Sequence, residues 1–259
     1  MRFGFSTGSV AFDDVCRGLQ IATHRRAKAV ELSALREDEL DPLLESLDGL
    51  EGKLTSFEYV SFHAPSKRVQ ILEREFVAKL QAVAERGWAI IVHPDVIEDF
   101  SLWKKLGRAV CIENMDKRKR IGRTAAQLRE IFKQLPEATF CFDIGHARQV
   151  DPTMQEAESF LSQFQDRLRQ VHMSYVNSQS RHERLNFESI RAFQRVSHWI
   201  KDETPIILET PVDSDEVDDE ITAASQVFET ADSERRQRLW EHVANRSAKR
   251  MATRTGESE

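Results

Sequence analysis

The 259-residue sequence is 40% hydrophobic and 31% charged, enough apolar material for a sizeable core, which excludes a disordered or fibrous chain. Its formal charge of -6 excludes a whole-protein attraction to nucleic acid or an anionic membrane and favours small-molecule work. Three widely spaced cysteines, Cys16, Cys111 and Cys141, read as reduced core residues; there is no apolar run of about 18 residues and MRFGFSTGSV lacks a signal core, so a cytoplasmic protein with no membrane partner is expected.

In chain order, short apolar β-rich runs recur as RFGFST (2–7), AVELSA (29–34), YVSFHAP (59–65), AIIVHPD (89–95), AVCIENM (109–115), TFCFDIGHA (139–147), QVHMSYV (170–176) and PIILETP (205–211). Each reads as a strand. Between them apolar residues recur at helical spacing, as in VQILEREFVAKLQAVAER over 69–86. Strands apolar almost throughout signal parallel pairing covered on both faces. Eight such β/α units predict an α/β protein built as a single (β/α)8 TIM barrel, a parallel eight-stranded barrel with outer helices. An open doubly wound sheet is the second reading. Against it, no Gly-x-Gly-x-x-Gly follows any strand and STGSV is only a small-residue turn, so no nucleotide cofactor is expected. Past Pro211 the acidic run VDSDEVDDE introduces a helical stretch to about Asn245, anchored by Leu239 and Trp240 and read as the last barrel helix. The barrel then covers 1–245, and 246–259 reads as a disordered tail whose one opportunity is a homo-oligomer contact.

The strand ends carry the chemistry. Glu31, His63, His93, Glu113, Asp143 with His146, His172 and Glu209 follow or close the C-terminal ends of seven runs. In a barrel these ends converge on one face. A buried carboxylate or imidazole needs a partner, and a divalent metal ion, manganese, zinc, iron or cobalt, is one that suits them all. Directly after IENM comes a basic stretch in which Lys117, Arg118, Lys119, Arg120 and Arg123 face the same side; it reads either as a solvated loop feeding a helix or as a phosphate-recognition loop. Ser6 and Thr7 offer weaker anion contacts, Glu31 either touches substrate or caps the barrel, and Trp103 packs in the core or reaches the site. Trp88 and Trp199 read as packing residues, and His24 and His198 as surface positions.

The ordered set SFHAP, VHPD, IENM, DIGHA, VHMSYV and LET resembles the xylose isomerase-like barrel superfamily over about residues 1–212. That superfamily includes sugar isomerases and epimerases and endonuclease IV, a metal-dependent hydrolase of abasic DNA. The resemblance to the epimerases implies one divalent cation on Glu113, Asp143, His172 and Glu209, with both glutamates transferring protons. The resemblance to the endonuclease implies a second ion on His63, His93 and Glu113 and a third on His146 and His182. Here Ser180 stands where the endonuclease pattern has an aspartate, and Arg181 lies further along than the epimerase arginine.

Two chemistries follow. A sugar or sugar-phosphate isomerase or epimerase would pass a proton between Glu113 and Glu209 through a metal-stabilised enediolate, with His146, Arg181 and the Lys117–Arg120 cations on an anionic sugar. A phosphodiesterase would use two or three ions, with abasic DNA as its nucleic-acid partner. The first is the leading expectation: one basic patch is not a nucleic-acid track, and SKRVQ after SFHAP offers no aromatic wedge. An iron-dependent oxidative enzyme and a metal-binding pseudoenzyme are further readings.

Overall fold

The computed structural model describes residues 1–12, 14–23 and 26–229. Its strands are β1 (Arg2–Ser6), β2 (Ala29–Ser33), β3 (Tyr59–His63), β4 (Ala89–Val92), β5 (Val110–Glu113), β6 (Thr139–Asp143), β7 (Leu168–Met173), the two-residue β8 (Tyr175–Val176) and β9 (His182–Glu183), and β10 (Pro205–Leu208). Eight of them close into a parallel barrel in the order β1-β10-β7-β6-β5-β4-β3-β2, and β8 pairs with β9 as a small antiparallel ribbon beside the barrel. All eight sequence runs become barrel strands, with helices between them, so the architecture is the (β/α)8 barrel.

Strand alternation divides each run between two environments. Phe62, Ile90, Val92, Ile112, Phe140, Phe142, Val171 and Ile206 belong to the large core that packs strands against helices. The opposite parity, Ala89, Ile91, Cys111 and Cys141, forms a small separate apolar cluster. Helix Glu37–Leu54 shows how the outer layer is attached: Leu40, Leu43, Leu47, Leu50 and Leu54 recur at intervals of three and four and are all buried.

Several expectations are corrected. Cys16 is exposed on helix Val15–Ala22, whereas Cys111 and Cys141 are buried. The segment 7–11 is a short helix rather than a turn. The helix expected from residue 69 starts at Glu73, because Glu37 accepts the backbone N–H groups of Val69, Gln70 and Ile71 and holds them in a loop. Trp103 does not reach the site: it is fully buried and its indole N–H donates to Glu73 Oε1 at 2.8 Å. The acidic run enters the helix itself, Val217–Gln226, with Asp218, Asp219 and Glu220 in the first turn. Glu220 is fully buried and accepts from Thr210 Oγ1 at 2.8 Å and Leu185 N at 3.0 Å. His24 lies outside the described residues, as do the expected continuation to Asn245 with Leu239 and Trp240 and the tail 246–259. Among the described residues no helix is long and apolar enough to cross a membrane.

Candidate metal centre

The parity that buries Ala89, Ile91, Cys111 and Cys141 inside the barrel also aims the last residues of the strands inward at its mouth. His63, Glu113 and Asp143 close β3, β5 and β6, His172 lies at the end of β7, and His93 and Glu209 directly follow β4 and β10. Six residues spread from position 63 to position 209 therefore meet.

Glu113 is the centre of the arrangement. Its Oε2 faces His63 Nε2 at 3.4 Å and His93 Nε2 at 3.2 Å; its Oε1 faces His146 Nδ1 at 3.3 Å and His172 Nδ1 at 3.4 Å. His172 Nδ1 also lies 3.3 Å from Glu209 Oε1. Two groups of ligand-type atoms converge among the described residues, His63 with His93 and Glu113, and Glu113 with Asp143, His172 and Glu209. His146 and His182 join neither group.

Local structure fixes which atoms are offered. Asp143 caps helix Ile144–Val150, and its Oδ1 accepts from His146 N at 2.6 Å, which leaves Oδ2 without a hydrogen bond. Asn114 clamps the Asp143 backbone on both sides, donating to its carbonyl and accepting from its N–H, each at 2.8 Å. The Gly145 position admits no side chain: a Cβ there would stand 2.5 Å from the Ser174 carbonyl oxygen. His63 Nδ1 lies 2.8 Å from the Ala64 carbonyl oxygen, which can only accept, so Nδ1 carries a proton and Nε2 is the nitrogen turned toward Glu113, the one that could serve a metal.

The electrostatics follow from crowding carboxylates and imidazoles in a buried space. Burial opposes ionisation of Glu113, yet His93, His146 and His172 outweigh it and hold the carboxyl well below its ordinary range. Burial pushes Asp143 well up, with Glu209 and Glu113 adding to the shift against His146 and His172. Burial disfavours the charged form of His146, but Asp143 and Glu113 raise it to about 10. His172 is likewise raised well above its usual value by Glu209, Glu31 and Glu113 against burial, whereas burial lowers His93 and His182. Glu113 Oε2, Asp143 Oδ2, His172 Nδ1 and Glu209 Oε2 are buried polar atoms without a hydrogen-bond partner. Buried acceptors that face one another need protons or a cation between them, so this donor set fits divalent ions.

A cavity of about 470 Å³ opens above these residues. His63, His93, Glu113, His146, His182 and Glu209 form its floor and sides, and Phe12, Leu35, Met115 and Pro211 give it an apolar wall. Arg118, Lys119 and Arg181 line it; Lys117 and Arg120 are exposed and do not. Arg118 is paired with Asp116 at 2.6 Å and Lys119 with Asp95 at 2.7 Å. Ser180 does not replace the missing aspartate: with φ of 57° it turns its hydroxyl to Gln149 Nε2 at 2.7 Å. Ser6 Oγ and Ser33 Oγ bond each other at 2.6 Å, and Thr7 Oγ1 accepts from Ser33 N, so both small hydroxyls serve the fold first. His198 is partly buried in a 3-10 turn away from the cavity.

Sequence reasoning undervalued one residue and missed others. Glu31 is fully buried below the cavity, does not line it, and lies 3.0 Å from His172 Nε2. Gln170 and Phe12 carry no ligand-type or strand-end signal, whereas Asn114 and Asp116 lie just past Glu113 at the end of the fifth run; for Gln170 the two-residue spacing to His172 on one strand is the available clue.

No family model matches the chain, and no curated protein matches its sequence. Solved structures do share its fold. The 3-keto-D-glucoside 4-epimerase from E. coli superposes with a TM-score of 0.59 at 12% identity, covering 89% of this chain and 100% of that one. Endonuclease IV from Thermus thermophilus gives 0.59 at 18% identity with the same coverage. A probable 3-DHS dehydratase from Bacillus anthracis gives 0.56 at 14% identity, covering 90% and 100%. What these structures share with this chain is the fold, here the closed eight-stranded parallel barrel.

Proposed function

We propose that this xylose isomerase-like barrel is a binuclear divalent-metal hydrolase of phosphate esters. The observation that supports it is the division of Glu113, whose Oε2 turns to His63 and His93 while Oε1 turns to His172 beside Glu209. A carboxylate engaged on both oxygens could serve an ion on either side, with His63 and His93 or with Asp143, His172 and Glu209, and would be poorly placed to act as a mobile proton carrier. When bound, paired divalent ions supply Lewis-acid polarisation of a phosphoryl oxygen and an acidified water.

The remaining residues divide the other tasks. His146, fixed by its Nδ1 contact to the Asn114 carbonyl at 3.0 Å, lines the cavity and holds on Nε2 a proton to give to a leaving oxygen. Arg181, Arg118 and Lys119 balance the anionic group at the rim, and the apolar wall of Phe12, Leu35 and Met115 excludes water. The cavity volume suits a sugar-sized or nucleotide-sized ester.

The isomerase or epimerase reading is kept for one reason: Glu209 Oε2 has no hydrogen-bond partner and borders the cavity, where a proton acceptor for a carbon acid would stand. One set of assays separates the two. Protein purified without chelator is given bis(p-nitrophenyl) phosphate, sugar phosphates and an oligonucleotide with an abasic site, and in parallel ketoses in D2O. Ester or strand cleavage that a chelator stops supports the hydrolase. Deuterium entering a sugar carbon without any cleavage overturns it in favour of isomerisation.

A further inference from the structure

The inner face of β7 carries a polar pair, Gln170 and His172, both fully buried, facing an equally buried Glu31 from across the barrel on β2. Three donors surround a single oxygen of Glu31. Gln170 Nε2 reaches Oε2 at 2.7 Å, His172 Nε2 at 3.0 Å and Ser61 Oγ at 3.1 Å. The Gln170 amide is itself oriented, because its Oε1 accepts from Tyr59 Oη at 2.7 Å. Reversing the amide would set its oxygen against the Glu31 carboxylate, so the nitrogen faces Glu31.

This settles the imidazole as well. Gln170 Nε2 and His172 Nε2 are 2.8 Å apart and form a small triangle with Glu31 Oε2. The Gln170 amide has two hydrogens about 120° apart, while the carboxylate oxygen and the ring nitrogen lie roughly 60° apart as seen from Nε2; with one hydrogen aligned on the carboxylate, the stronger acceptor, the other is at least about 60° off the ring nitrogen. Both nitrogens therefore donate to Glu31. The opposite ring atom, His172 Nδ1, is buried, lacks a hydrogen-bond partner, and lies among Glu113, Asp143 and Glu209.

We infer that Glu31 is a positioning residue for the metal centre: it holds the proton of His172 on Nε2 and thereby presents the Nδ1 lone pair to the ion shared with Glu113, Asp143 and Glu209. Gln170, Tyr59 and Ser61 hold Glu31 in turn. A carboxylate behind an imidazole raises its basicity and fixes its rotation, and losing such a partner costs a site about 10–100-fold in metal affinity. The inference rests on the metal reading above, but not on which reaction the metal serves.

The test uses the full chain loaded with zinc. Competition with a chelating dye measures both affinities in wild type, Glu31→Leu and Gln170→Leu, and long-range 1H–15N spectra report which His172 nitrogen bears hydrogen. The resonance is assigned by its loss in His172→Gln. Expected are a hydrogen on Nε2 with zinc on Nδ1, and a weakening of one zinc by about 10–100-fold in Glu31→Leu while the ion of His63 and His93 is held within about threefold. A hydrogen on Nδ1, unchanged affinities, or equal weakening of both ions overturns the inference and leaves the metal reading standing. Absence of zinc binding in wild type overturns both. Should Glu31→Leu not fold, the wild-type spectrum alone decides.

Discussion

His93 Nε2 stands 3.2 Å from Glu113 Oε2, the oxygen that His63 Nε2 also approaches at 3.4 Å. Neither histidine has a role in a site holding one ion on Glu113, Asp143, His172 and Glu209, so their convergence is what divides a one-ion from a two-ion centre. Metal content by mass spectrometry should give two ions per chain in wild type. The His63→Ala, His93→Ala double variant should retain one. A wild-type count of one, unchanged in the double variant, would remove the basis for the binuclear reading.

Protons on His146 and His172 give stability a pH dependence, and at His172 they compete with a metal ion, so loading should weaken that dependence. His146 is raised from 6.5 to about 10, with burial opposing and Asp143 and Glu113 driving the shift, and His172 is raised in the same direction. A folded-state pKa above the unfolded one means that the folded chain binds more protons. The stabilisation is complete below the unfolded value of 6.5 and is lost as pH rises toward about 10. Chelator-treated protein should therefore melt lower at pH 9 than at pH 6.5, by about 2–4 °C for each kcal/mol lost. Metal-loaded protein should show a shallower fall, because an ion on Asp143, His172 and Glu209 would take the place of the His172 proton and bind more tightly as pH rises, while His146, outside both ligand groups, still titrates. Calorimetry at both pH values, with and without ion, checks the sign.

Most of the frame was legible because it depends on local pattern. Period-two alternation ending in His63, Glu113, Asp143 or His172 marks both a barrel strand and an inward residue at its mouth. What stayed hidden depends on partners far along the chain. Glu31 acquires its place from Gln170 and His172, 139 and 141 residues away, and neither residue's neighbours in sequence announce the contact. In sequence the basic run 117–120 is one unit, yet its members separate according to whether Asp116 or Asp95 lies within reach. Helix Glu73–Glu85 begins late for a similar reason, since Glu37 captures the preceding N–H groups from another element.

The separation of those cations predicts unequal effects on substrate binding. Arg118 and Lys119 face the cavity but are paired with carboxylates, and Lys117 and Arg120 lie outside it. Arg181 lines the cavity from the turn between β8 and β9. Replacing Arg181 with Gln should raise KM for an anionic substrate at least about tenfold, the worth of one charge-assisted hydrogen bond of about 1.5–3 kcal/mol. Lys117→Gln with Arg120→Gln should leave KM within about twofold. Comparable losses in both would place substrate on the outer loop instead of in the cavity.

Gly145 ties the fold to the candidate metal centre more closely than its size suggests. It lies between Asp143 and His146 in the first turn of helix Ile144–Val150, where the chain passes against β7's continuation. A methyl group at this position would meet Ser174 O at 2.5 Å and Val176 Cγ2 at 2.7 Å. The side chain of Val176 can rotate, but the Ser174 carbonyl is backbone, and Ser174 Oγ is bonded to His182 Nδ1 at 2.8 Å. Relief therefore requires the helix start to move away from the barrel, carrying Asp143 Oδ2 and His146 with it. Gly145→Ala should destabilise the chain by about 1–3 kcal/mol in urea unfolding, as overpacking of a filled interior does. It should also weaken an ion held by Asp143, His172 and Glu209 more than one held by His63 and His93, since Asp143 belongs only to the first group. Loss of stability with both affinities unchanged would show that the strain is absorbed at Ser174, and that the Asp143 turn is not rigidly coupled to the ligand set.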